Sequence, residues 1–180
     1  MKRLIVKSGE ELTRSEIDQI NRAKAREFKA SPLQAKVLKT TQFFLLLDGD
    51  TILALGKLIP VEPVVFNGET FSILGIGGIL SNEKDKGYGK QIMTAIKDYL
   101  ISKNKTGVGF FGPQNRVFYE KCGFNVDTTS SVRFIFKKDG KEINDPDGSC
   151  VLYLDASDNF MKKVLSNPSE KVILPRPPNW

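Results

Sequence analysis

The residues best suited to chemistry in this chain gather in positions 76–103. A strand-like run, Ile76-Gly77-Gly78-Ile79-Leu80, leads through Ser81-Asn82-Glu83 into Lys84-Asp85-Lys86-Gly87-Tyr88-Gly89-Lys90, where a helix opens. A glycine-rich turn at a helix start presents backbone N–H groups without partners, together with the positive end of the helix dipole. That combination binds phosphate. Gly87 and Gly89 would let the backbone approach an anion with no Cβ in the way, and Lys84, Lys86 and Lys90 add positive charge. A plain tight turn could use the same glycines. Two standard phosphate motifs are set aside. A P-loop needs Ser or Thr after its Gly-Lys, but Gly89-Lys90 is followed by Gln91,. A dinucleotide fingerprint needs a third glycine that Gly87-Tyr88-Gly89 lacks,.

Composition narrows the chemistry further. The 180 residues suffice for one ordinary domain, expected over 1–180, and 40% hydrophobic residues can bury a core,. The chain has no histidine, which excludes a His-based triad and His–metal chemistry. Cys122 and Cys150 make neither a disulfide framework nor a metal site, so no metal is expected,. The longest apolar run, Phe43-Phe44-Leu45-Leu46-Leu47, is strand-sized and far short of the roughly 20 residues of a membrane helix,. Only Leu4-Ile5-Val6 separates Lys2-Arg3 from Lys7, too little for a signal peptide, and a cytoplasmic location is expected,. The net charge of +6 is unevenly spread: residues 1–40 carry +5, 41–80 carry −3, 81–124 carry +4, and the remainder balances. A nucleic acid, a phosphorylated small ligand or a merely lysine-rich surface would each fit that excess. The aromatics lie in apolar runs and not among the bases, which argues against nucleic acid, and neither a nucleic-acid nor a membrane partner is expected,.

The elements that must position the turn follow from patterning. A first strand is expected at 4–6, then a helix over 13–28 entered through the capping box Thr13-Arg14-Ser15-Glu16, with Ile17, Ile20, Ala23 and Phe28 on its apolar side,. Strand runs at 42–47 and 51–59 flank Asp48-Gly49-Asp50; a run at 64–66 turns at Asn67-Gly68 into 70–80,. A helix over 89–103 puts Ile92, Met93, Ile96, Tyr99 and Leu100 on one face,. A strand at 108–111 precedes a helix over 113–122, begun by Pro113 and ended by Gly123,. Late strands are expected at 131–136 and 149–154 around Asp139-Gly140, and a last helix near 160–165 capped by Ser157 or Asp158. The tail Pro175-Arg176-Pro177-Pro178-Asn179-Trp180 reads as extended,.

At this point the sequence resembles a known family. Lys84-Asp85-Lys86-Gly87-Tyr88-Gly89 is similar to the acetyl-CoA-binding turn of the GCN5-related N-acetyltransferase superfamily, Arg/Gln-x-x-Gly-x-Gly/Ala. About thirty residues on, Phe118-Tyr119-Glu120-Lys121-Cys122-Gly123-Phe124 resembles that superfamily's Tyr-Glu-Lys-x-Gly-Phe segment. A narrower likeness, to the aminoglycoside 2′-N-acetyltransferases, rests on chain length, the Asp-Gly-Ser-Cys-Val-Leu run at 147–152 and the terminal Trp180.

The resemblance implies an α/β fold with a mostly antiparallel central sheet splayed at the acetyl-CoA site and flanked by helices. It implies an enzyme that moves acetyl directly from acetyl-CoA to a primary amine of a small molecule or peptide; an exposed strand edge could support a homodimer. The pantetheine arm would pair with Gly77, Gly78 and Ile79, the Gly77 N–H polarising the thioester carbonyl. The pyrophosphate would sit on Lys84, Asp85, Lys86, Gly87, Tyr88, Gly89 and Lys90, with Asn115 near the same cofactor edge. Tyr119 aligns with the general acid that protonates the CoA thiolate; Cys122 reads as packing. Gly75 and Trp180 fall on the acceptor side. The family's usual base, a glutamate eleven residues before Lys84, is Ile73 here, and the nearest upstream acid is Glu69. Glu62, Glu69, Asp145, Asp147 and Asp155 could form an acidic acceptor pocket if folding gathered them. The missing glutamate leaves a rival reading, a non-catalytic acyl-CoA-binding module of the same fold.

Overall fold

Hairpin chemistry and amphipathic helices build this chain, whose computed structural model describes residues 1–29, 31–34, 38–144 and 149–177. It divides into two compact units, Met1–Ile59 with Gly78–Ile96, and Pro60–Gly77 with residues from 97 onward.

In the first unit, β1 (Lys2–Ser8) lies antiparallel to β2 (Gln42–Asp48), from Lys2 opposite Asp48 to Ser8 opposite Gln42. β2 returns into β3 (Thr51–Phe66) through a two-residue loop at Gly49-Asp50, where Gly49 has φ +57°. Between β1 and β2, α1 (Arg14–Phe28) starts as expected: the Thr13 hydroxyl accepts from the Glu16 N–H, and the Glu16 carboxylate accepts from the Thr13 N–H at 2.8 Å. Ile20 and Ala23 enter a core with Leu12, Phe43, Leu45, Leu47, Ile52, Leu55 and Leu80, and Ile17 packs at its margin. Phe28 does not join them. It is 50% exposed because the helix ends there, Lys29 turning the chain through the left-handed region. In α2 (Tyr88–Ser102), Ile92, Met93 and Ile96 are fully buried, as their spacing predicts.

The run at 64–66 is no separate strand. β3 continues to Phe66 through Pro60 and Pro63. A proline forfeits only its ladder donor, and the Pro60 carbonyl still accepts from Arg176 at 2.6 Å. Asn67 and Gly68, at φ +47° and +76°, turn β3 into β4 (Glu69–Ser81), the backbone a type I′ hairpin requires.

In the second unit, β5 (Gly107–Phe111) runs parallel to β4 at two pairs, Leu74 with Gly107 and Gly75 with Val108. It pairs antiparallel with β9 (Cys150–Leu154) along its whole length. The short β6 (Asn125–Asp127) flanks β9, and β10 (Val172–Leu174) pairs with the end of β3 and, in parallel, with β7 (Phe134–Lys138). Asp139-Gly140 turns β7 into β8 (Lys141–Asn144) and not into β9, while residues 130–133 form a 3-10 turn where a strand is expected. The expected helix over 113–122 divides into a 3-10 turn, Pro113–Asn115, and α3 (Arg116–Lys121). The last helix, α4 (Phe160–Ser166), has Asn159 at its N-cap position; Asp158, one of the two expected caps, accepts from the Phe160 N–H at 3.3 Å, and Asp155 takes the N–H groups of Met161 and Lys162 at 2.8 Å each. Arg133 closes its other end on the carbonyls of Val164 and Asn167. Phe71, Ile73, Phe134, Phe160, Met161 and Val172 centre this unit's core.

Candidate functional site

The glycine-rich turn of the first unit takes the anticipated form. β4 ends at Ser81, α2 begins at Tyr88, and two residues between them are left-handed, Asp85 at φ +59° and Gly87 at φ +71°. A Cβ at Gly87 would meet nothing within 4 Å, so the backbone there is open on its outer side. The N–H groups of Tyr88, Gly89 and Lys90 open the helix, where no carbonyl four residues earlier in the helix can accept them, and the first bond of the ladder runs from Gln91 to the Gly87 carbonyl. Lys84, Lys86 and Lys90 are exposed around them. The donor set, the backbone amides of Tyr88, Gly89 and Lys90 with three cations, fits a pyrophosphate.

Each remaining residue of this group finds a definite place. Tyr88 is 6% exposed, its ring turned inward and its hydroxyl accepting a hydrogen bond from Lys2 Nζ at 2.6 Å. What it offers an anion is therefore its main-chain N–H. Gly89 lies inside the first helical turn without a positive φ, so only Gly87 uses glycine's conformational freedom. Gly78 is left-handed at φ +61° in mid-strand, with Ile79 half-buried beside it. A Cβ there would come within 3.1 Å of the Lys57 stem. Lys57, 9% exposed, was not anticipated; its signal was being the lone base of residues 41–80. Asn82 was missed too: its N–H donates to the Leu53 carbonyl and its side chain to the Ile52 carbonyl, fixing the start of the turn.

In the second unit, Tyr119 projects from α3 into an aromatic group, its ring centroid 4.6 Å from that of Phe111 and 5.1 Å from that of Phe118. It is 7% exposed, and its hydroxyl has no hydrogen-bond partner among the described residues. Burial, aided by the nearby Cys122 thiol, pushes its phenol up to about 12. The proton is therefore held firmly. Cys122 ends the helix, its N–H directed to the Phe118 and Tyr119 carbonyls, and Gly123 follows at φ +79°. Asn115 is exposed on the 3-10 turn. Gly75 is buried at the last β4–β5 pair, and Gly77 is half-buried two residues on.

The acids anticipated for an acceptor pocket are individually engaged. Glu69 pairs with Lys163 at 2.5 Å, Glu62 accepts from the Ser72 hydroxyl at 2.5 Å, and Asp155 caps α4. Burial raises Asp155, the two N–H donors opposing it. Asp145, Asp147 and Trp180 lie outside the described residues. Ile73, at the position of the family glutamate, is fully buried.

No protein-family model and no curated protein matches this chain. Solved structures do. It is similar to an acyl-CoA N-acyltransferase from Pseudomonas aeruginosa at 14% identity and a TM-score of 0.61, over 85% of this chain and 99% of that one. It is similar to a Bacillus subtilis acetyltransferase in complex with CoA at 21% identity and a TM-score of 0.53, over 86% and 99%. A third likeness is to the catalytic domain of the Tetrahymena GCN5 histone acetyltransferase in complex with coenzyme A, at 14% identity and a TM-score of 0.57, over 86% and 93%. The fold is the mixed α/β fold of the acetyltransferases, as expected.

Proposed function

On the premise of that shared fold, we propose that this chain is an acetyl-CoA-dependent N-acetyltransferase acting on a primary amine. The observation that carries the reading is the turn of residues 82–90, whose open amides and three lysines suit a pyrophosphate on the fold of CoA-bound acetyltransferases. The cosubstrate supplies an acetyl thioester. Asp85 to Lys90 hold its pyrophosphate through backbone amides, with Lys84, Lys86 and Lys90 neutralising charge. Gly77, Gly78 and Ile79 lend strand-edge groups to the pantetheine arm, and the Gly77 N–H polarises the thioester carbonyl. The acceptor nitrogen attacks the carbonyl carbon, a C–N bond forms and the C–S bond breaks. Tyr119 gives its proton to the departing sulfur and recovers one from the acceptor's ammonium through water. Because a thiol titrates near about 8.5 and the phenol is pushed up to about 12, this transfer runs uphill and is completed only by the return of the amine's proton to Tyr119. The acceptor is a small-molecule amine, aminoglycoside-like or otherwise, or a peptide amine, with Gly75 on its side.

Tyr119→Phe tests the reading. It should cut kcat by about 100-fold or more and leave CoA affinity unchanged, since the hydroxyl it removes has no partner among the described residues. Thiol release with a panel of amines measures the first and calorimetric CoA titration the second. A second reading, a non-catalytic acyl-CoA-binding module, is favoured by the burial of Ile73 where relatives carry glutamate. It would be upheld if CoA bound and no amine raised thiol release above background.

A further inference from the structure

We infer that the basic N-terminal segment is a two-point brace that holds the anion-binding turn in shape, with Lys2 and Arg26 as positioning residues; this rests on the reading of that turn given above. The turn is costly to keep. Between Asn82 and Tyr88 the chain makes two left-handed bends, one at Asp85, whose side chain disfavours that conformation, and one at Gly87, which loses much backbone freedom when ordered,. Both ends of the turn are gripped by a basic side chain from the first forty residues. At its start, Asn82 spends its N–H and its amide nitrogen on the β3 carbonyls of Leu53 and Ile52. Its side-chain oxygen then accepts from Arg26 Nη2 at 2.6 Å, while Arg26 Nε bonds Glu27 at 3.1 Å. At its end, the Tyr88 hydroxyl accepts from Lys2 Nζ at 2.6 Å, and the same ammonium lies 4.6 Å from the Tyr88 ring centroid.

Lys2 comes from the edge strand β1 and Arg26 from the last turn of α1. Two different elements therefore fix residues six apart, and the amides that would meet a pyrophosphate lie just beyond or between them. Solvated surface cations would not each terminate on the first and last residues of one turn. A held turn offers its N–H groups already aimed, which lowers the ordering cost of binding.

Amide exchange of the ligand-free protein, read beside CoA titration, tests this. Lys2→Met, Tyr88→Phe and Arg26→Met should each speed exchange over residues 83–90 by about threefold to tenfold, the range for loss of one exposed hydrogen bond. Residues 92–100, the buried stretch of α2, should stay as in wild type, which global destabilisation would not allow. CoA affinity should weaken by a similar factor, and Lys2→Arg, which keeps the donor, should restore both. Lys2→Met breaks the same bond as Tyr88→Phe from the exposed side, should the latter fail to fold. Wild-type exchange at 83–90 in Lys2→Met and Arg26→Met overturns the brace. Faster exchange with unaltered CoA affinity overturns its functional part. If the wild-type chain does not bind CoA, the reading of the turn falls, and the exchange data still decide whether the brace exists.

Discussion

Tyr119 is a buried acid with a signature that pH exposes. Its ring packs on Phe111 and Phe118, and burial pushes its phenol up to about 12. An unfolded tyrosine titrates near about 10, so above that pH the folded chain keeps a proton that the unfolded chain has lost. The stability contributed by the neutral phenol is complete below about pH 10 and drains away as pH rises toward 12. Tyr119→Phe should therefore flatten the fall of Tm across that interval, measured by thermal melts at successive pH values. An unchanged slope would assign the alkaline sensitivity to other groups. Any basic limb in thiol release below pH 10 belongs to a group other than Tyr119. Ile73 makes the complementary point: the position that the family resemblance reserves for a base is sealed in hydrocarbon, so no carboxylate acts from there.

At the scale of elements, packing leaves no room under α2. Gly56 of β3 lies under α2, and a Cβ on it would meet Ile92 Cγ2 at 2.7 Å, Ile79 Cδ1 at 2.8 Å and Ile96 Cδ1 at 3.0 Å. Gly56→Ala should cost about 1–3 kcal/mol by overpacking, read as a lower urea midpoint with an unchanged slope. Much of this scale was legible in the sequence because its causes are local. The capping box of α1 spans four residues, the α2 stripe recurs at helical spacing, and the turns at Asn67-Gly68 and Gly123 follow from residues that tolerate positive φ. What was illegible depends on distant partners. β6 and β10 have three residues each and exist through pairing with β9, and with β3 and β7. β3 outruns its prolines because neighbouring strands carry it. The turn of the candidate site was visible in its glycines and lysines; its supports were not, since Lys2 reaches Tyr88 across 86 residues.

At the scale of the whole molecule, the charge has an address. The first unit holds fourteen bases against nine acids, net +5, and the second thirteen against twelve, net +1. The excess thus shares a unit with the turn proposed to hold a pyrophosphate, which accounts for the basic first forty residues better than a dispersed surface charge does. We expect the chain to unfold as one domain: far-UV circular dichroism and tyrosine absorbance should report the same thermal midpoint, and two separated midpoints would divide it. The expectation rests on β3, β4 and α2, each of which begins in one unit and ends in the other. That arrangement also bears on ancestry. Since neither unit is a continuous stretch of the gene, no single fusion, deletion or exon exchange could transplant one of them.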